Sequence, residues 1–320
     1  MDSGRRPTGV APFRSRWLAA GIDAGLLLLV GLILGLGLGS HLGGPGGTGR
    51  LLGFPIAVAY FGLAGSRLGG GQTAGKTFVG LRVVGPDGEP LGVGRALLRA
   101  SVLTAPWFFN NVQFRYDMPL ALPLAMLACA LIFGMVPASI ALFVLSGGRQ
   151  FLHDVVARSF VVVGNERPLS SGPPRWALAA SLAWIVTVTV WGVAHAPLGP
   201  KREDDPLLSA LRRVPRVASA SVTPMEVSRF GGQHYRALYV TVTTGLGGDE
   251  PEKVVRRSAA AVVAFYPQLN EFQAIRVENR AGFDVGLASW STATVEMRTP
   301  GEWRALVEPE ADALLSGRVR

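Results

Sequence analysis

Two carboxylates stand where carboxylates are costly. Asp23 is the only ionisable residue in the apolar run from Trp17 to Leu38, and Asp154 follows His153 in the segment RQFLHDVVARSFVVV, between Arg149 and Arg158. A charged side chain at the centre of a membrane helix costs at least ~2.5–3.5 kcal/mol on insertion scales unless it is paired, protonated or beside water. Asp23 therefore reads in two ways, as an ion or proton site or as a polar clamp between helices. Arg16 lies seven residues earlier on the same helical face, about 10 Å away, from where it could lean toward Asp23. Asp154 has Arg158 one turn further on, the spacing of an i, i+4 ion pair. His153 carries the one side chain type that titrates near neutral pH without help from its surroundings.

A third chemical signal is Gly70 to Thr77, GGQTAGKT, which fits the phosphate-binding pattern GxxxxGK[ST] letter for letter. Such a loop works between a strand and a helix, so that its amides and the helix N-terminus face the phosphates. Here an apolar segment precedes it, and Phe78 to Val84 (FVGLRVV) reads as a strand after it, turning through Gly85-Pro86-Asp87-Gly88 and returning through Glu89 to Val93. The expectation is a cytoplasmic hairpin at about 77–93 and no nucleotide, since no apolar run ending in a Walker-B aspartate accompanies the loop. The single cysteine, Cys129, lies in an apolar run and excludes both an intrachain disulfide and a thiolate metal site. With no nucleophile, metal cluster or paired carboxylates in the pattern, the chain reads as a non-enzyme without cofactor.

Membrane helices are the elements that must position these residues. The chain has 320 residues and a net charge of +9, yet only 17% are charged and 49% are hydrophobic. A basic nucleic-acid binder would be richer in charge than the average domain, not poorer. Residues 1–199 hold 15 basic and 7 acidic residues, whereas 200–320 hold 16 and 15, so nearly all of the excess belongs to the first part. Apolar runs at Trp17–Leu38, Leu51–Gly65, Met118–Leu145 and Trp176–Ala194 can span ~30 Å of hydrocarbon, the second only just. The short run Ala100–Phe114, with Pro106, Asn110 and Asn111, is decided by charge. If it crosses, five crossings with the N-terminus inside put 13 basic residues in the inner segments and only Arg50 and Arg115 in the outer loops. Gly31, Gly35 and Gly39 form a small-xxx-small row that allows close helix contact.

The fold class is thus an α-helical multi-pass membrane domain of about five helices followed by a small α+β domain. The expected divisions are 1–170, an additional helix within 171–199, and an extracytoplasmic domain at 200–320. Within the last, His234–Thr244 alternates as a strand, Pro251 opens a helix, and Phe272–Glu278 and Ala293–Arg298 read as further strands.

Together the motifs resemble the RDD family of bacterial membrane proteins. Arg16 and Asp23 in RWLAAGID are similar to the arginine and first aspartate of the family name. Gly71 to Lys76 (GQTAGK, with Gly75 and Lys76) and Gly80 to Val84 (GLRVV) resemble its central signature. Gly94 to Arg99 and the LHD ending at Asp154 complete the match, over about residues 14–163. The resemblance implies an inner-membrane location and, by the usual suggestion for the family, transport of a cation or small solute. The other reading is a non-transporting anchor or assembly module presenting the outer domain, with Arg16, Asp23 and Asp154 as clamps. Five helices are few for a monomeric carrier and no internal repeat supplies inverted halves. The expected partners are therefore the lipid bilayer and a second copy or another membrane protein.

Overall fold

A computed structural model of the chain describes residues 9–42, 44–45, 49–109, 130–145, 150–166, 172–194, 206–228, 234–247, 250–266 and 268–316. It divides into two compact units, one of residues 1–31 with 50–199, the other of 32–49 with 200–320. The division passes through the first helix, whose last turns count with the C-terminal residues.

In chain order the first unit contains α1 (Phe13–Leu38), α2 (Gly49–Ala64), α3 (Ala74–Val79), β1 (Leu81–Val84), α4 (Val93–Phe109), α5 (Val136–Leu145), α6 (Leu152–Val156), β2 (Phe160–Val163) and α7 (Arg175–Ala194). A π-helical turn at Ala130–Met135 leads into α5. Along α1 the side chains of Trp17, Leu18, Leu29 and Ile33 are exposed, while Ala19, Asp23 and Leu27 are buried. On α7, Trp176, Leu182, Trp184, Val190 and Trp191 are exposed in the same way. Large apolar groups turned outward beside a carboxylate turned inward describe a helix made for lipid. Among the described residues α1 and α7 are the two helices long and apolar enough to cross a membrane, and α2 with its 16 residues is a shorter apolar helix. The runs expected at 100–114 and 118–145 lie partly outside the described residues. What is described of them is the end of α4, the π-helical turn and α5.

Of the hairpin expected at 77–93 the structure keeps the turn and one antiparallel bridge, Val84 to Pro90, with the Gly85 N–H donating to Glu89 O at 2.8 Å. Thr73 caps α3 with its hydroxyl, and Gly80, at φ 74°, closes it with its N–H on the carbonyls of Lys76 and Thr77, so Phe78 and Val79 are helical. β1 then pairs antiparallel with the distant β2, Leu81 opposite Val163 and Val84 opposite Phe160. Beyond the turn at 85–88 the chain makes only single bridges, Val84 to Pro90 and Ser66 to Leu91. Pro90 has no N–H to continue a ladder, whereas Phe160-Val161-Val162-Val163 offers four β-forming residues. Residues 9–11 run along the other edge of β2, where the Ala11 N–H donates to Val161 O at 2.9 Å and the Val163 N–H to Gly9 O at 3.1 Å. Leu81, Val83, Leu91, Ala96, Ala157 and Val161 close over Ala11 and Ala19 as a small core.

The second unit contains α8 (Pro206–Arg213), β3 (Val217–Ser228), β4 (His234–Thr244), α9 (Pro251–Phe265), β5 (Ala274–Asp284), β6 (Ser289–Arg298) and α10 (Pro300–Leu315). The sheet order is β3-β4-β5-β6, with β4 and β5 parallel and the outer pairs antiparallel. α9 supplies the crossover that parallel neighbours require. The three helices cover one face: Leu207, Leu211, Val255, Val262, Trp303 and Val307 pack on Leu238, Val240, Ile275 and Val277. The indole N–H of buried Trp303 donates to Ile275 O at 3.0 Å. The last turns of α1 belong here. A Cβ at Gly35 would overlap the Phe283 ring, and Gly39 accepts from the Leu246 N–H at 3.2 Å. Gly35 and Gly39 thus lie within the second unit, against Phe283 and Leu246, while a Cβ at Gly21 or Gly25 would meet nothing within 4 Å.

Candidate functional site: two buried carboxylates

Asp23 is 1% exposed, nearly three turns into α1. Its Oδ1 accepts from the Tyr60 hydroxyl of α2 at 2.7 Å and from the Gly75 N–H at 2.8 Å, and its Oδ2 accepts from the Thr73 hydroxyl at 2.6 Å. Thr73 and Gly75 are the cap and second residue of α3. The phosphate-like loop therefore does bind an anion at a helix start, and that anion is the chain's own carboxylate. Gly75 must be glycine, because a Cβ there would overlap the Ala19 carbonyl and press on the Asp23 carboxyl carbon at 3.0 Å. The Tyr60 hydroxyl also accepts from the Ala74 N–H at 3.2 Å, so α1, α2 and α3 meet at one carboxylate.

Lys76 stands beside this clamp, its ammonium 3.3 Å from the Thr73 hydroxyl and over the Phe61 ring at 5.9 Å. Burial, helped by the positive charge of Arg99 and partly opposed by Asp23 and Asp154, pulls it down to about 8.

Asp154 has no exposed surface. Arg99 of α4 donates to its Oδ1 from Nε at 2.9 Å and from Nη2 at 2.7 Å, and Arg16 approaches Oδ2 at 3.7 Å. The Ser159 hydroxyl donates to Oδ1 at 3.3 Å, and the Phe151 N–H donates to Oδ2 at 3.3 Å as a cap of α6. Burial would raise this carboxyl, but Arg99, His153 and Arg16 outweigh it and hold Asp154 well below the usual carboxylate range. It is a carboxylate at every physiological pH.

Three expectations change here. The ion pair of Asp154 is with Arg99 and Arg16 and not with Arg158, which sits at φ 47° where α6 has ended and whose carbonyl accepts from Arg95 at 2.8 Å. Arg16 does not lean toward the carboxylate of its own helix. It joins Asp154 and donates to Ala11 O at 3.2 Å and Val161 O at 3.4 Å, because the β2 segment comes within reach whereas Asp23 lies two turns away. His153 does not titrate near neutrality: burial, with the charges of Arg99, Arg16 and Lys76 outweighing Asp154, pushes it down to about 3.

The structure brings Arg16, His153 and Asp154 together, and Asp23, Gly75 and Lys76 together. Sequence reasoning missed Tyr60, Thr73 and Arg99. Tyr60 is the one hydroxyl in the apolar run LLGFPIAVAYFGLA, and Thr73 precedes a short helix closed by Gly80. Arg99 follows Arg95 by one turn on a helix whose buried face is Ala96, Ala100, Thr104 and Phe108.

The RDD family model matches residues 10–158. Residues 10–158 are an RDD domain. The chain is accordingly a membrane protein, and every residue of both clamps except Ser159 lies inside the RDD domain, while α7 and residues 200–320 lie beyond it. Neither the curated proteins nor the solved structures give a match. In this RDD domain the three letters of the name separate: the arginine serves the second aspartate, and the first is held by hydroxyls and an amide.

Proposed function

We propose that the RDD domain is a non-transporting membrane anchor and assembly module. It crosses the cell membrane with its N-terminus in the cytoplasm and, through α7, presents the α+β unit on the outer side. The observation that carries this reading is the enclosure of Asp23, which is 1% exposed. Two oxygens accept three bonds from the chain's own Tyr60, Thr73 and Gly75, all at 2.6–2.8 Å. A carboxylate that exchanges ions or protons with a pathway needs an open coordination side, and this one is closed by groups that tie loops to helices. No enzymatic step belongs to this reading.

The five-crossing topology is supported by the small sheet. Residues 9–11, β1 and β2 hydrogen-bond to one another, so all three lie on one side of the bilayer. The chain between Val84 and Phe160 then crosses an even number of times. If the run at 118–145 crosses, so does the run at 100–114 that contains the end of α4.

Transport of a cation or small solute is the second reading, and Lys76 favours it, since an ammonium pulled down to about 8 beside Asp23 can change charge near physiological pH. Asp23→Asn separates the two. An anchor loses membrane protein level and thermal stability in proportion. A carrier loses pH-dependent cation flux in inverted vesicles while its level and stability are kept, and that result would replace the anchor reading.

A further inference from the structure

The two edges of the C-terminal sheet are unlike. β3 is blunted against further pairing by Pro224 in mid-strand and by the register shift between Val217 and Ser219. β6 has neither device. Its first seven residues, Ser289 to Val295, carry no charge, no proline and no lysine, and Trp290, Val295 and Met297 are 49, 42 and 49% exposed. Natural sheets rarely leave such an edge without a partner.

The geometry points to that partner being a second copy of this chain, joined by antiparallel β6 to β6 pairing across a two-fold axis. The Val285 N–H donates to Ala288 O at 3.0 Å, which makes Val285 and Ala288 a hydrogen-bonded pair at the start of the β5–β6 ladder. By alternation the even residues of β6 bond to β5, and the odd residues Ser289, Ser291, Ala293, Val295 and Met297 turn their N–H and C=O outward. A two-fold perpendicular to the sheet keeps both helix-covered faces on one side. Centred on Thr294, it sets Ala293 against Val295 and Ser291 against Met297 on the open face. On the other face it sets Thr292 against Glu296, and Trp290 against Arg298 of the second copy. No like charges meet, the Trp290–Arg298 pair is a cation–π match, and about eight outward backbone bonds are made. Moving the register by two instead sets Trp290 against Glu296 and gives up that match. Because β3 is blocked, head-to-tail β6 to β3 pairing has no seat, so the assembly closes at two. Anchorage in one membrane raises the effective concentration of the copies toward each other. This inference does not depend on whether the RDD domain transports.

The test is cross-linking of the full chain in membranes. Cys129, the only cysteine, is replaced by Ser, and Thr294→Cys is introduced. Thr294 and its mate form a non-hydrogen-bonded pair, whose Cα separation of ~4.5 Å lies within disulfide range. Mild oxidation is expected to give a covalent dimer, whereas Thr223→Cys on exposed β3 gives none. Equal cross-linking at the two positions, or none at Thr294, overturns the proposal. As a second variant, Ala293→Pro removes an outward N–H and leaves the β5 ladder intact, so the detergent-solubilised chain should fall from dimer to monomer mass while staying folded. A folded dimer of that variant overturns it equally.

Discussion

Asp154 is the place where removing a single charge should cost most. Its carboxylate has no exposed surface, and the guanidiniums it serves are themselves 7% and 8% exposed at Arg99 and Arg16. Breaking a buried pair from one side costs ~3–5 kcal/mol, chiefly because the other charge is left buried and unpaired. Asp154→Asn keeps Oδ1 as an acceptor and should fall near ~3 kcal/mol, while Asp154→Leu abandons Arg99 altogether and should approach ~5 kcal/mol. Arg99→Met alone should cost a similar amount, since Arg16 at 3.7 Å is the weaker remaining partner. The double variant Arg99→Met/Asp154→Leu should then cost less than the sum of the two, by a coupling of ~3 kcal/mol or less, because no buried charge of that pair is stranded. Arg158→Ala, one turn after Asp154, should lie within ~0.5 kcal/mol of the parent. The measurement is thermal unfolding of the purified full chain in detergent, followed by the folded fraction that survives heating. Strict additivity of Arg99→Met and Asp154→Leu, or a larger loss at Arg158 than at Arg99, would refute the assignment of the ion pair.

Gly75→Ala should detach α3 from α1, since its Cβ meets a backbone carbonyl that cannot yield, and limited proteolysis should open the loop at 66–84. Lys76 lies below its ordinary value in the fold, so the unfolded chain binds its proton more readily and stability rises as pH goes from about 8 toward 10.5. Lys76→Met should remove that rise from a plot of melting temperature against pH. His153, at about 3 when folded, destabilises the fold as pH drops from 6.5 toward 3, and His153→Gln should flatten the profile there. In the C-terminal unit, Trp303→Ala should cost ~3–5 kcal/mol by cavity formation, with a further loss for the stranded Ile275 carbonyl. A drop of under 1 kcal/mol in chemical denaturation of the full chain would contradict its place in that core.

What the sequence made legible was what repeats locally. Uninterrupted apolar runs marked α1 and α7, alternation marked β4 at its observed bounds, and the acidic start with Pro251 marked α9. The short pieces were not legible. FVGLRVV has a strand pattern, yet its first two residues are the end of α3, because the Thr73 cap and the left-handed Gly80 set the bounds of that short helix. β1 also needed a partner, and the nearer candidate lost to one 76 positions later, which no local period announces. β3 was hidden by Pro224 and by the small side chains of an edge strand. α10 did carry a signal that was passed over, the capping box Thr299 with Glu302, its hydroxyl and carboxylate reciprocally bonded to the two backbone N–H groups.

The site failed to be legible for a different reason. Charge invites pairing by charge, and the sequence offers Arg16 for Asp23 and Arg158 for Asp154 at helical spacings. The fold pairs neither way, because a carboxylate in a membrane helix can be held by neutral donors if they are numerous and fixed. Three charge-assisted bonds at ~1.5–3 kcal/mol each are enough to offset an insertion cost of ~2.5–3.5 kcal/mol. Arg16 serves Asp154 instead, together with Arg99. Arg16 and Asp23 lie seven residues apart on one face of α1, so the two clamps close on the same helix about 10 Å from each other. One fastens α2 and α3 to it, the other α4 and α6. A movement of either loop away from α1 must break several bonds to a buried carboxylate at once, which is what supports the proposed anchor over a transport path.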